Sequence, residues 1–211
     1  MTEVERRQAV IRAACAMHSD RLTVANSGNI SVRFAEGLLI TPSGVMYETL
    51  QPEDMVYLAL DGAVLQGVRK PSSEWRFHCD IYRHRPDVNA IVHAHSQAAT
   101  ALSVLRQPIP AFHYMVALMG GSEIPCADYA TFGTQALSDN VLKALEGYQA
   151  CLMANHGMLA LGPDLARAYS RALELESLCA QYSEAKRLGT VCLLTAEEMA
   201  AARQAFSGYG Q

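Results

Sequence analysis

The chain of 211 residues has no CxxC pair: its six cysteines, Cys15, Cys79, Cys126, Cys151, Cys179 and Cys192, are scattered, several inside apolar runs. Buried free thiols of a reducing cytoplasm fit that pattern better than a disulfide framework. Basic clusters are missing too. Seventeen Lys and Arg against 21 Asp and Glu give a formal charge of −4, and no Lys/Arg block marks a nucleic-acid footprint. No run of about 18 apolar residues occurs, so no membrane span is expected. The start, MTEVERRQ, is charged and lacks the apolar h-region of a signal peptide. Only 7% of residues are aromatic and 18% charged, yet 50% are hydrophobic. That composition excludes wholesale disorder and fibrous classes and supports one sizeable core. No repeat, low-complexity tract or linker interrupts residues 1–211, which read as one cytoplasmic domain.

Elements follow from patterning. Val4, Ile11, Ala14 and Cys15 share one helix face, interrupted by Gln8. Ile30–Phe34 alternates with period two, Leu38–Ile40 reads as a second strand, and Met55–Leu60, Asp61-Gly62 and Ala63–Leu65 read as a hairpin. Lys70-Pro71-Ser72-Ser73-Glu74 is a helix start, with Glu74 in the first turn and the helix running to about His84. Val88–His95 is a strand, and Ser96 caps a helix to about Leu105. Tyr114–Met119 reads as a further strand. Thr134 and Asp164 cap two later helices, and Thr195-Ala196-Glu197-Glu198 is a capping box. Strands and helices interleave, but the hairpin argues against an all-parallel sheet.

Three histidines stand out. His93 and His95 are two apart at a strand end, so both project from one face. That is a chelate geometry for a metal; it is also the pattern of two histidines hydrogen-bonded at a strand end. His156, in Asn155-His156-Gly157, completes a three-nitrogen set with an open position, the usual form of a catalytic zinc site. Glu74 reads as a general base, as a displaceable fourth ligand, or as a helix-dipole acid. His78, one helical turn on, offers a second metal pair with it. Ser27-Gly28-Asn29, Ser43-Gly44 and Ser72-Ser73 are turns and a helix start that bind an anion if gathered round one cleft. His18, His84 and His113 lack a partner pattern, and Trp75 reads as packing.

The segments SGNISVR, ITPSG, KPSSEWRFH, VNAIVHAH, HYMVALMGG, YATFGTQALSD and NHG, in this order over nearly the whole chain, resemble the class II aldolase/adducin family. The resemblance implies an α/β fold, a single three-layer α/β/α domain around a largely antiparallel sheet. It implies Zn2+, or another divalent ion such as Mn2+ or Co2+, on His93, His95 and His156. Glu74 is then the acid/base that also occupies the fourth metal position. Gly28, Asn29, Ser43, Gly44, Ser72 and Ser73 match a phosphate pocket. Tyr114 and Tyr209 match tyrosines that complete a neighbouring subunit's site in a homotetramer, and Phe132 an aromatic lining the aldehyde pocket. Asn155 departs from relatives that carry a further histidine there. The implied activity is reversible cleavage of a 1-phosphoketose, such as L-fuculose 1-phosphate, to dihydroxyacetone phosphate and an aldehyde. Alternatives are an aldolase for 5-deoxyribulose or methylthioribulose 1-phosphate, and a sugar-phosphate epimerase, dehydratase or decarboxylase. Epimerases of the family tend to carry Asp where Glu74 stands. A non-catalytic adducin-like module lacks the full ligand set.

Overall fold

The computed structural model describes residues 2–207. Its strands are β1 (Gly28–Phe34), β2 (Gly37–Ile40), β3 (Val56–Ala59), β4 (Val64–Gln66), β5 (Ala90–Ala94), β6 (Cys126–Ala127), β7 (Ala150–Met153) and β8 (Gly157–Gly162). They form one sheet of eight strands in the order β4-β3-β2-β1-β5-β8-β7-β6. Among the described residues only the β6–β7 pair is parallel, so the largely antiparallel expectation holds. The helices are α1 (Glu3–Ser19), α2 (Trp75–His84), α3 (Gln97–Ser103), α4 (Gln135–Ala144), α5 (Leu165–Leu188) and α6 (Ala196–Ser207). Among the described residues no helix is long and apolar enough to cross a membrane.

Period-two alternation sorts the sheet into two cores. Ile30, Val32, Ala90, Val92 and Ala94 pack with residues of α1, α3, α5 and α6 on one face. Ile91, Leu159 and Leu161 pack with Phe77, Ile81 and Tyr82 of α2 and Leu137 and Val141 of α4 on the other. Asn29, Ser31 and His93 occupy alternate positions from those apolar residues, so they belong to the α2 face. Polar side chains buried there require partners from α2.

Several elements differ from their sequence reading. The buried face of α1 is Arg7, Val10, Ala14 and Met17, and Val4 is exposed. Arg7 displaces the expected stripe because its guanidinium donates to Met55 O at 2.7 Å and Pro52 O at 3.1 Å. Tyr114–Met119 is a 3-10 helix rather than a strand, started by the His113 ring accepting from Met115 N–H. Glu74 is the N-cap residue of α2, one position before its first turn. Ser96 precedes α3, which ends at Ser103, but its hydroxyl donates to Glu176 instead of accepting from its own helix. The caps at Thr134, Asp164 and Thr195 form as expected. The cysteines are free, with Cys79, Cys151 and Cys179 buried, Cys15 and Cys126 half-buried and Cys192 exposed.

Candidate metal centre

The site forms where β1 begins, β5 ends and β8 begins. Antiparallel pairing puts Asn29 opposite His93 and Gly28 opposite Ala94, and Ala94 opposite Met158. His93 lies on β5 with its ring buried; its Nδ1–H donates to Met158 O at 2.9 Å. That bond leaves the Nε2 lone pair pointing into the site. His95 follows the strand end, and its Nε2 lies 2.9 Å from that of His93. His156 arrives on the β7–β8 turn.

Glu74 descends from the start of α2 into this ring of nitrogens. Its Oε2 is 3.1 Å from His93 Nε2 and its Oε1 is 3.2 Å from His156 Nε2. Donor atoms of Glu74, His93, His95 and His156 all lie within 4.8 Å of one another. The carboxylate is buried, so it is not a surface dipole acid. Burial works to raise its pKa, but the charges of His93 and His156 and the hydrogen bonds from His93 and Asn29 outweigh it and hold the carboxyl well below the usual range. Burial opposes a proton on His93 as well; the charge and hydrogen bond of Glu74 prevail and raise it. Burial and the neighbouring His93 push His95 down to about 3 and His156 down to about 4. The neutral imidazole these shifts favour is the form that offers a lone pair.

The donor set fits a divalent cation. Ring nitrogens face one another without a proton for each contact, and Glu74 Oε1 is buried yet accepts no hydrogen bond. Nitrogen donors plus one carboxylate suit zinc and similar ions better than Mg2+ or Ca2+. His78 stands apart from this group. It is buried beneath the site, hydrogen-bonded to Ser31 and Asn29, so the Glu74–His78 metal pair is not formed.

A cavity of about 350 Å3 opens over the cluster, lined by Glu74, His95 and His156 on its floor. Backbone pairing builds its wall: Ser43 N–H donates to Lys70 O at 3.0 Å and Ser72 N–H to Thr41 O at 3.1 Å. Ser43, Gly44, Ser72 and Ser73 are thereby gathered, with Gly28 and Asn29 beside them. None of the described lining residues is Lys or Arg. An anion there meets N–H groups, hydroxyls and the start of α2. Asn29 contributes little of its side chain, because its amide is engaged by Glu74 and His78. Phe132 lines the cavity and is exposed, as are Tyr129 and Asn155 at the same rim. Sequence reading passed over Tyr129, although it lies inside the YATFG segment. Tyr114 is exposed, its ring stacked on Phe206 at 5.9 Å, and does not line this cavity. Tyr209 lies outside the described residues.

The family model of the Class II Aldolase and Adducin N-terminal domain matches residues 8–183. The chain belongs to this family. A 5-methylthioribulose-1-phosphate/5-deoxyribulose-1-phosphate aldolase of Rhodospirillum rubrum is 47% identical over 204 residues, covering 97% of this chain and 92% of the relative. An L-fuculose phosphate aldolase of Escherichia coli is 44% identical over 190 residues, 90% of this chain and 88% of the relative. A solved L-fuculose 1-phosphate aldolase superposes with a TM-score of 0.93 at 38% identity, covering 98% of this chain and 97% of that one. The class II aldolase fold is thus shared across the full width of the sheet. These relatives, together with the complete His/Glu cluster, make the chain an aldehyde-lyase of class II rather than an adducin-like module.

Proposed function

We propose that this class II aldolase cleaves a 1-phosphoketose reversibly to dihydroxyacetone phosphate and an aldehyde, using Zn2+ held by His93, His95, His156 and, before substrate binds, Glu74. The observation that carries the reading is the convergence of Glu74 and three neutral-capable imidazoles on the floor of a cavity whose wall is made of serine and glycine turns. A divalent ion there supplies positive charge that polarises a carbonyl and steadies negative charge developing beside it. Mn2+ and Co2+ suit the same donors.

The phosphate occupies the wall formed by Gly28, Asn29, Ser43, Gly44, Ser72 and Ser73. In cleavage the C3–C4 bond breaks, its electron pair stays on the three-carbon fragment, and the C4 hydroxyl releases its proton to water as it becomes the aldehyde. Glu74 takes up a proton from water and gives it to C3, and in condensation removes it and returns it to water. Phe132 borders the aldehyde end. Tyr114 and Tyr209 act across a subunit boundary in a homotetramer, Tyr114 assisting at the aldehyde oxygen; the exposure of Tyr114 away from its own cavity supports this. The enzyme works in the cytoplasm.

Three substrates are favoured. L-Fuculose 1-phosphate follows from the Escherichia coli relative and the solved structure. 5-Deoxyribulose or 5-methylthioribulose 1-phosphate follows from the Rhodospirillum relative. Dihydroxyacetone phosphate release from a panel of these ketoses tests the reading and separates it from epimerase, dehydratase and decarboxylase chemistry. Glu74→Gln should keep its metal and lose about 100- to 10,000-fold in turnover. Near-normal turnover in that variant contradicts the assignment.

A further inference from the structure

We propose that Tyr82, Ser31, His78 and Asn29 form a one-way hydrogen-bond relay that anchors Glu74 by Oε2 and leaves Oε1 as the oxygen that carries the proton. The proposal rests on the reading of Glu74 as the acid/base.

Two periodicities build the relay. Glu74, His78 and Tyr82 are four residues apart at the start of and along α2, and Asn29 and Ser31 are two apart on β1. Four helical residues rise about 6 Å and two strand residues about 6.6–6.8 Å, so the two rows stay in step. The row is buried throughout: His78 and Ser31 are fully so, and Tyr82, Asn29 and Glu74 nearly so.

The contacts run without a break. Tyr82 OH lies 2.9 Å from Ser31 Oγ, and Ser31 Oγ lies 2.7 Å from His78 Nδ1. His78 Nε2 meets Asn29 Oδ1, and Asn29 Nδ2 lies 3.0 Å from Glu74 Oε2.

The carboxylate sets the direction. Asn29 Nδ2 donates to Glu74 Oε2, which turns the amide carbonyl toward His78. His78 must then donate from Nε2. The buried Tyr82 hydroxyl meets Ser31 Oγ, so Tyr82 donates there, and Ser31 gives its own proton to His78 Nδ1, which is thereby an acceptor. No other assignment satisfies every buried group. The result is asymmetric: Oε2 accepts from Asn29, while Oε1 is buried with no hydrogen bond and lies 3.2 Å from Nε2 of His156, a residue that lines the cavity. The four relay residues are positioning residues; none touches the cavity floor except through Asn29.

Ring 15N NMR of the full-length protein, with and without metal, reads the tautomer directly. His78 should be the Nε2–H form. Ser31→Ala leaves His78 Nδ1 without its donor and should lower kcat about 10- to 100-fold, with KM and bound metal within about two-fold of wild type. Tyr82→Phe, which removes one hydroxyl without altering shape, should act in the same direction and guards against misfolding of the first variant. An Nδ1–H tautomer in the wild type, or unchanged kcat in both folded variants, overturns the relay. Failure of the wild type to cleave any 1-phosphoketose defeats the aldolase reading, while the tautomer still decides the relay.

Discussion

Glu176 on α5 accepts from Ser96 Oγ at 2.6 Å and from the N–H groups of Ala98 and Ala99 at 2.7 and 2.9 Å. A carboxylate from a distant helix thus replaces the serine cap of α3, and it does so one residue after His95. The cap and the candidate ligand share a single turn, so the packing of α5 on the sheet sets where the His95 ring lies.

Removing that carboxylate has two consequences. Glu176→Ala leaves the first N–H groups of α3 without partners, at a cost of about 1–3 kcal/mol. It should also weaken metal binding, because the turn that holds His95 loosens. Thermal melting and metal titration measure the two effects separately. Unchanged metal affinity would detach the cap from the site.

Gly157 makes a second test of ligand placement. A Cβ there would stand 2.4 Å from Ala94 O and 2.9 Å from the His95 ring. Both contacts are with parts that cannot yield cheaply, one being β5 backbone and the other a ligand ring. Gly157→Ala should fold, bind metal poorly and lose most turnover. Elemental analysis showing a full complement of metal would contradict the close fit.

These tests touch residues of unequal legibility. The caps at Thr134, Asp164 and Thr195 and the His93/His95 pair were readable because their signal is local. The stripe of α1 was misread because a buried Arg7 satisfies itself on carbonyls about 45 residues away in sequence. Tyr114–Met119 looked like a strand from its apolar content, but it pairs with no neighbour and closes as a 3-10 helix. Glu74 lies at the cap instead of the first turn because the Ser72 hydroxyl accepts its N–H at 3.3 Å. The Asn29–His78 contact joins residues 49 apart, and only the register of β1 against α2 discloses it.

A pH-dependent contribution comes from the His18–Glu48 pair, 2.6 Å apart at the end of α1. The Ala25 carbonyl first, then Glu48, raises the His18 pKa. A backbone hydrogen bond first, then His18, lowers that of Glu48. A raised histidine stabilises the fold below its unfolded pKa and loses the effect as pH climbs through the folded value. A lowered carboxylate loses its effect as pH falls through its own. The pair therefore contributes in the window between them. Glu48→Gln should lower the melting temperature at pH 5.5 and leave it nearly unchanged at pH 9. A difference independent of pH would mean that packing, not charge, is what Glu48 supplies.

The proposed sharing of sites between subunits predicts complementation. Glu74→Gln and Tyr114→Phe proteins, each weakly active, should regain activity when dissociated and reassembled together, since some sites then draw an intact residue from each chain. Removing residues 207–211, which carry Tyr209, should spare metal binding and impair turnover. A fully active monomer in sedimentation would reject the arrangement.

In the proposed function, the His93/His95/His156/Glu74 cluster holds the metal on which aldol cleavage depends. The measurement is dihydroxyacetone phosphate release from L-fuculose 1-phosphate and 5-deoxyribulose 1-phosphate by the wild type, by the same protein stripped with a chelator, and after Zn2+ is returned. Release, its loss on stripping and its recovery with the ion are expected, with His93→Ala recovering nothing. Full turnover in protein shown by elemental analysis to be free of metal would contradict it.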